Sequence, residues 1–309
     1  MQIFTGAPVP KGTDAVVMQE YVERQNGSAT LRKKPRLKEN VRFRGEDFRK
    51  GAILLKQDLR LEPAHLAVIA TTGYHKTLVY PAPRVAILTT GNELLKPGTK
   101  PQPGKIYNSN SILLETLVQK AGGIPRKINS TGDTLEEIKA QIREGLKQDV
   151  LIISGGVSVG KYDFVKEALK KEGVKEIFWK VNIKPGKPLY FGRKGKTLVF
   201  GLPGNPVSVF VTFEEFVKPA LLKMMGKYAD PLWVEGFLTK PFQNGSRPHF
   251  VRVRCQKRNG CYEVTPLKGQ GSHQLGTLAK ANGILKVGAD ENLPSGQKVR
   301  VRIISENFV

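Results

Sequence analysis

The sequence contains few cysteines and histidines for a chain of 309 residues. Its 2 cysteines, Cys255 and Cys261, flank a predicted hairpin turn at Asn259 and Gly260, so they face Val264 and Arg258 rather than each other. Two such residues exclude a disulfide framework and make no zinc site by themselves. The 4 histidines lack the i, i+4 spacing of helical metal ligands; they are His65, His75, His249 and His273.

Acidic residues are also scarce, and no hydrophobic segment is long. The sequence has 27 Asp and Glu against 50 Lys and Arg, which gives a formal net charge of +23. No apolar run approaches the roughly 20 residues that cross a bilayer, and the first residues do not resemble a signal peptide, which predicts a cytoplasmic protein without a membrane segment. The charge alone fits nucleic acid, anionic substrates or a lysine-rich surface, but the sequence has no groove-reading helix or interleaved aromatics, so nucleic acid is not favoured.

Periodicity and turn residues divide the chain into three regions. Residues 1–80 have short strand and turn patterns, with strands expected at 15–18 and 52–55, a hairpin at Asn26 and Gly27, and one helix at about 63–72. Residues 81–226 alternate strands with helices, which predicts a central α/β domain with a mostly parallel sheet. Residues 227–309 return to alternating strand patterns and predict a small C-terminal β-domain.

Two loops, each between an apolar strand and a helix, predict an anion pocket. Gly155 and Gly156 follow the strand at 150–153 and let backbone N–H groups turn inward. After the strand at 196–200, Asn205 is a predicted N-cap and Pro206 takes the first helical position. A helix start has free N–H donors and partial positive charge, which suit phosphate or carboxylate.

Charged side chains follow the predicted strands of the central domain. Glu93, Asp133 and Asp163 lie at or just after strand-to-helix turns, and the carboxyl ends of parallel strands meet at one edge of a sheet. Carboxylates on separate loops suit Mg²⁺ that also binds substrate phosphates, although helix capping equally explains Asp133 and Asp163. Lys184 and Lys187 flank a Pro-Gly turn and could neutralise an anion, with a lysine-rich surface turn as the alternative.

The chain resembles a known family, the molybdopterin molybdenumtransferases, which include MoeA and the gephyrin E-domain. The resemblance covers nearly the whole chain in family order, although the Gly-Gly-Val-Ser-Val-Gly loop alone also resembles molybdopterin adenylyltransferases. The matching segments are Thr5-Gly6-Ala7-Pro8-Val9-Pro10, Asp14-Ala15-Val16-Val17-Met18-Gln19-Glu20, Arg44-Gly45-Glu46-Asp47, Thr90-Gly91-Asn92-Glu93-Leu94, Tyr107-Asn108-Ser109-Asn110, residues 154–163, Lys184-Pro185-Gly186-Lys187-Pro188, residues 202–208 and Gly271-Ser272-His273.

The resemblance implies a central domain of the molybdopterin-binding type and an enzyme that inserts molybdate into adenylylated molybdopterin. A divalent cation, Mg²⁺ or another, would assist, and the products would be molybdenum cofactor and AMP. It also implies the roles of individual residues. The catalytic set would be Glu93, Asp133, Asp163 and Asp47, with Glu93 and Asp163 on the metal. Substrate would contact Thr5, Gly155, Gly156, Ser158, Lys184, Lys187, Pro203, Asn205, Pro206 and Ser272.

The resemblance further implies a homodimer, because Asp47 matches an acidic residue that the family presents from the partner subunit. A molybdopterin adenylyltransferase is a possible partner protein. Family members usually begin upstream with a helical segment and an Asp-Gly-Tyr-Ala motif, so we expect this chain to lack that segment. Asn92 and Lys161 stand where acidic residues are common in the family. Two alternatives stay open, a molybdopterin adenylyltransferase and a non-catalytic pterin-binding scaffold.

Overall fold

Helices and strands divide between two units of the chain, Met1–Thr77 and Leu78–Val309. The computed structural model describes residues 1–128, 134–157, 164–228 and 231–305. None of the helices within these ranges combines the length and the apolar character that crossing a membrane requires.

The first unit contains one hairpin and one helix. Strands β1 (Val22–Gln25) and β2 (Ser28–Leu31) pair antiparallel, and the predicted turn is confirmed because Asn26 and Gly27 both have positive φ. Helix α1 (Pro63–Thr71) has proline in its first turn, as predicted. The strands expected at 15–18 and 52–55 are wrong, because neither segment joins a regular ladder in the described residues; the Val16 N–H donates instead to the Glu39 carbonyl at 2.9 Å.

The second unit begins with the predicted alternation of strands and helices and ends in a run of strands. A π-helical segment, Phe213–Val217, connects α5 to α6. In chain order the elements are β3 (Arg84–Thr89), β4 (Leu94–Leu95), β5 (Ile106–Tyr107), α2 (Ser109–Lys120), β6 (Ile124–Ile128), α3 (Leu135–Gly145), β7 (Val150–Ser154), α4 (Phe164–Lys171), β8 (Lys175–Trp179), β9 (Tyr190–Lys194), β10 (Thr197–Leu202), α5 (Pro206–Thr212), α6 (Lys218–Met224), β11 (Trp233–Leu238), β12 (Phe242–Gln243), β13 (His249–Arg258), β14 (Cys261–Pro266), α7 (Leu275–Lys280), β15 (Gly283–Val287), β16 (Asn292–Leu293) and β17 (Lys298–Ile303).

A six-stranded sheet in the order β6-β3-β7-β10-β9-β8 forms the centre of this unit. The first four strands are parallel, and β9 and β8 add antiparallel pairs at one edge. Side chains of β3 and β7 alternate between two buried clusters, one packed with α2 and α5 and the other with α3 and α4. Helices therefore cover both faces, which leaves the carboxyl ends of the parallel strands as the place for a ligand.

Two helix starts in this unit follow from local sequence. Asn108 caps α2 by accepting a hydrogen bond from the Ser111 N–H. Thr134 and Glu137 form the capping box that the sequence predicts at the start of α3. These caps fix where each helix leaves the sheet.

The C-terminal strands close into a barrel in the order β11-β14-β13-β15-β17. The hairpin of β13 and β14 has the predicted register, with Cys255 opposite Val264 and Cys261 opposite Arg258. The barrel is bonded to the α/β part, because the Lys184 N–H donates to the Pro248 carbonyl and the Phe250 N–H donates to the Lys184 carbonyl, each at 2.8 Å. The central α/β domain with a C-terminal β-domain is therefore confirmed.

Candidate functional site

A cavity of about 540 Å³ opens at the carboxyl ends of β3, β7 and β10. Three loops meet there, the ones that follow Thr89, Ser154 and Leu202, as expected from the parallel sheet. Its volume is in the range of small-molecule sites. The lining residues are Thr89, Thr90, Gly91, Glu93, Leu94, Ile106, Tyr107, Asn108, Ser109, Asn110, Ile138, Ser154, Gly155, Gly156, Val157, Phe164, Val165, Pro188, Pro203, Gly204, Asn205 and Pro206.

Hydrogen bonds join the three loops into one frame. The Thr90 N–H donates to the Ser154 carbonyl at 3.1 Å, and the Gly155 N–H donates to the Leu202 carbonyl at 3.1 Å. The Asn110 amide, from the first turn of α2, donates to the Gly204 carbonyl at 2.6 Å and to Ser154 Oγ at 3.0 Å. The sequence analysis gave Asn110 no such role. Asn110 holds the loops after β7 and β10 at a fixed separation.

Glycine is required at the loop after β7. Gly155 and Gly156 have φ of +96° and +66°. A Cβ on Gly155 would lie 2.7 Å from the Thr90 carbonyl oxygen, and one on Gly156 would lie 2.4 Å from Val165 Cγ2. The backbone at Gly155 and Gly156 therefore lies too close to Thr90 and Val165 to leave room for a side chain.

Among the described residues that line the cavity, Glu93 alone has a charged side chain. It is exposed, and its carboxylate fills the space where a Cβ on Gly91 would lie, 2.6 Å from each oxygen. The Lys105 ammonium donates to the Asn92 carbonyl at 2.5 Å and brings a positive charge beside this turn. Lys105 was missed in the sequence reasoning, because its pairing with Asn92 depends on how two loops fold together.

The loop after β10 carries Asn205 at the N-cap position of α5, with Pro206 at the first helical position. The predicted N-cap position of Asn205 is confirmed; its side chain makes no capping hydrogen bond, and its amide donates to Ser272 Oγ at 2.9 Å. The Val207 N–H is also taken, by the Ser272 carbonyl at 3.0 Å. The start of α5 therefore binds the 271–273 segment, and Ser272 is brought next to the cavity-lining Asn205.

The turn that contains Lys184 and Lys187 reaches the cavity through Pro188. Both lysines are exposed, and neither is among the described residues that line the cavity. Pro185 and Gly186 between them are buried. The turn thus contributes its backbone and proline to the cavity wall, while its ammonium groups lie outside that wall.

A basic cluster, which we define as the exposed Lys184, the half-buried Arg247 and the buried Arg252, surrounds His249. Arg252, on β13, is fully buried. Its Nη2 donates to the carbonyls of Gly269 and Gly271 at 2.8 and 3.1 Å, while Nε and Nη1 have no hydrogen-bond partner in the described part of the chain. Burial lowers the pKa of Arg252 to about 10.

His249 itself is almost fully buried, and neither ring nitrogen has a hydrogen-bond partner among the residues described. Burial, together with the positive charges of Lys184, Arg252 and Arg247, lowers the pKa of His249 from 6.5 to about 4. Arg252 therefore places one buried positive charge against the Gly271 carbonyl, and the histidine beside it stays neutral at pH 7.

This histidine makes stability depend on pH. Between pH 6.5 and about 4 the unfolded chain binds a proton that the folded chain does not, so His249 favours folding fully above pH 6.5 and this advantage is lost as the pH falls. The loss amounts to roughly 3 kcal/mol at most. We expect His249→Leu to flatten the free energy of unfolding across this interval, measured by urea titration. His75→Leu, at an exposed site, is the control, and an unchanged slope in His249→Leu would contradict this expectation.

The remaining predicted site residues lie elsewhere. Asp133, Ser158 and Asp163 fall outside the described residues, and Thr5 and Asp47 belong to the first unit, where Asp47 is exposed. Within residues 1–128, 134–157, 164–228 and 231–305, no three His, Cys, Asp or Glu side chains are grouped so as to hold a metal. The described part of the cavity supplies one carboxylate, from Glu93.

The arrangement of domains defines a class of protein. Residues 86–223 match the family described as a probable molybdopterin binding domain. Residues 1–73 match the MoeA N-terminal region (domain I and II), and residues 236–304 match the MoeA C-terminal region (domain IV). The fold and the cavity thus define a molybdopterin-binding α/β protein with MoeA-type flanking regions.

Full-length comparisons give the particular family. The chain is 35% identical over 308 residues to the molybdopterin molybdenumtransferase of Haemophilus influenzae, covering 97% of this chain and 76% of that protein. It is 35% identical over 314 residues to that of Bacillus subtilis, covering 99% and 73%. The chain belongs to the molybdopterin molybdenumtransferase family.

Solved structures agree with this assignment. Two crystal structures of the molybdopterin biosynthesis MoeA protein from Pyrococcus horikoshii superpose with TM-scores of 0.78 and 0.71. Both are 30% identical in sequence, with 96% and 97% of this chain and 73% and 74% of those chains covered. The chain spans about three quarters of the length of these relatives.

Proposed function

We propose that this chain inserts molybdenum from molybdate into adenylylated molybdopterin, with release of AMP. The observation that carries the proposal is the convergence of three loops on one cavity of about 540 Å³ in a chain of this family. In the reaction water cleaves the phosphoanhydride bond and AMP leaves. The two dithiolene sulfurs form bonds to molybdenum, and one molybdate oxygen leaves as water with the two thiol protons, so the oxidation state of molybdenum does not change.

The loops after β7 and β10 are the proposed binding surface for the pterin and its phosphates. Glycine at positions 155 and 156 brings the backbone close to a ligand, and Pro203, Asn205 and Pro206 form the facing wall. Asn110 keeps the two walls apart at a set distance through its bonds to Ser154 and Gly204. A rigid cleft of this kind orients the substrate without further ordering on binding.

The proposed metal is Mg²⁺, and the described donors fit it. The cavity offers the Glu93 carboxylate together with threonine, serine and asparagine oxygens, and no cysteine or histidine is among the described residues that line it. Mg²⁺ prefers hard oxygen ligands and binds through one or two carboxylates plus substrate phosphates. Glu93 would hold the ion, which when bound would offset negative charge on the phosphate oxygens. Asp133 and Asp163 remain proposed acidic contributors.

The proposed molybdate position is beside Ser272, near the basic cluster. Molybdate is a dianion, and Arg252 of the cluster places a buried positive charge next to Gly271. Ser272 is linked to the cavity through Asn205. We retain Lys184 and Lys187 as proposed anion-binding residues that act from outside the cavity wall, with an attraction that the surrounding water weakens.

Assembly and partners are proposed on family grounds. We propose a homodimer to which the partner subunit's Asp47 contributes a catalytic carboxylate, and a molybdopterin adenylyltransferase as the protein that delivers the substrate. Thr5 stays a proposed substrate-binding residue. Cytoplasmic location stays a prediction from the sequence.

The test is direct assay of the full chain with adenylylated molybdopterin, molybdate and Mg²⁺. We expect stoichiometric AMP and a product that activates a molybdenum-free molybdoenzyme, both dependent on molybdate. ATP consumption with free molybdopterin would instead identify an adenylyltransferase. Tight binding without AMP release would identify a scaffold, and either result would overturn the proposal.

A further inference from the structure

Trp179 lies at the end of β8 and contacts the loop that carries Gly155 and Gly156. Its indole Nε1–H donates to the Val157 carbonyl at 3.1 Å. Val157 is buried with 1% exposure and lines the cavity. Trp179 is not among the described residues that line the cavity. Its hydrogen bond therefore acts on the cavity wall through Val157.

Within the described residues, packing and a backbone hydrogen bond also hold the loop at 155–157. Val165 Cγ2 occupies the space beside Gly156, and the Gly155 N–H donates to the Leu202 carbonyl at 3.1 Å. Burial restrains the side chain of Val157, whereas the Trp179 hydrogen bond restrains its carbonyl. The indole N–H therefore adds a restraint on the backbone of the cavity wall that side-chain packing does not supply.

The indole ring is held in place by two lysines. Lys166 Nζ, on α4, lies 3.2 Å from the centroid of the Trp179 ring, and Lys180 Nζ lies 4.1 Å from it. Lys166 is also 3.6 Å from the Glu176 carboxylate on the same strand as the tryptophan. Cations over an indole face are attracted by its quadrupole, which restrains the ring and therefore its N–H.

Trp179 also directly precedes two residues that are bonded to the turn of Lys184 and Lys187. The Lys180 N–H donates to the Leu189 carbonyl at 2.8 Å, and the Val181 N–H donates to the Lys187 carbonyl at 2.9 Å. Pro188, between these carbonyls, lines the cavity. Trp179 therefore stands where the glycine loop and the turn at 184–188 are both anchored.

We propose that Trp179 is a positioning residue for the pterin substrate, one that sets the 155–157 backbone through its hydrogen bond to Val157. This inference rests on the proposed function, because it assigns the residue to that substrate. It involves no reacting atom, so its effect should fall on substrate binding and spare the chemical step.

The experiment compares Trp179→Phe with Trp233→Phe. Trp233 is the other of the chain's 2 tryptophans and lies on β11 of the barrel. Phenylalanine keeps an aromatic ring and removes the N–H. We expect Trp179→Phe to raise KM for adenylylated molybdopterin about five- to tenfold, the worth of one hydrogen bond, with kcat within about twofold. Trp233→Phe should leave both constants unchanged. An unchanged KM in Trp179→Phe would overturn the inference.

A second measurement covers the case in which Trp179→Phe folds poorly. In Trp233→Phe, Trp179 is the sole tryptophan, so its fluorescence can be followed as adenylylated molybdopterin is added, with the same additions to buffer as blank. A saturable change in emission supports the inference, and none overturns it. If the wild-type chain releases no AMP from this substrate, the proposed function itself fails, which separates the two outcomes.

Discussion

Glu93→Gln is expected to lower kcat for AMP release by roughly 100-fold or more, because it removes the one carboxylate that the described residues place at the cavity. The substitution keeps the shape of the side chain and changes only its charge. Since Glu93 is exposed, the free energy of unfolding should stay within about 0.5 kcal/mol of the wild type. The loss should therefore appear in turnover and in the Mg²⁺ concentration needed for half-maximal rate.

Glu115→Gln is the matched control for this prediction. Glu115 lies on α2, outside the cavity, and pairs with Lys127 at 2.9 Å. Its substitution removes a surface ion pair, which is worth little, and should leave turnover unchanged. If Glu93→Gln retains the wild-type kcat and Mg²⁺ dependence, Glu93 is not the metal-binding carboxylate.

The second large effect is expected from Gly155→Ala. The new Cβ would lie 2.7 Å from the Thr90 carbonyl oxygen, at a residue with φ of +96°. Overpacking and backbone strain together should lower the free energy of unfolding by about 3 kcal/mol and displace the loop that faces the ligand. Urea unfolding measures the first effect, and equilibrium binding of adenylylated molybdopterin measures the second.

Gly195→Ala separates strain from crowding. Gly195 lies between β9 and β10 with φ of +56°, and a Cβ there would have no atom within 4 Å. Its loss should be about 1 kcal/mol, from the left-handed backbone alone, with binding unaffected. Equal losses in Gly155→Ala and Gly195→Ala would show that the close approach to Thr90 has no energetic consequence.

Local features of the fold were predictable because they depend on residues close together in the chain. The turns at Asn26 and Asn259, the capping box at Thr134 and the register of Cys255 against Val264 all follow from short patterns. The strands expected at 15–18 and 52–55 failed for the complementary reason: a strand exists only where another segment pairs with it, and a short apolar run does not specify that partner.

Some residues of the candidate site were also predictable from local sequence, and others depend on distant segments of the chain. The sequence indicated Glu93, Gly155 and Pro203 because parallel strands end at one edge, a rule that needs only strand order. It missed Asn110, whose partners are 44 and 94 residues away.

The family, the alternation of strands and helices and the positions of the glycine loops could be read from the amino-acid sequence, since each depends on consecutive residues. The hydrogen bond from the Asn205 side chain to Ser272 and the burial of Arg252 beside His249 became visible in the folded chain alone. The physical reason is that a side chain's hydrogen bonds and its exposure to water depend on which distant segments pack against it, and the periodicity of a single strand or helix carries no record of those segments.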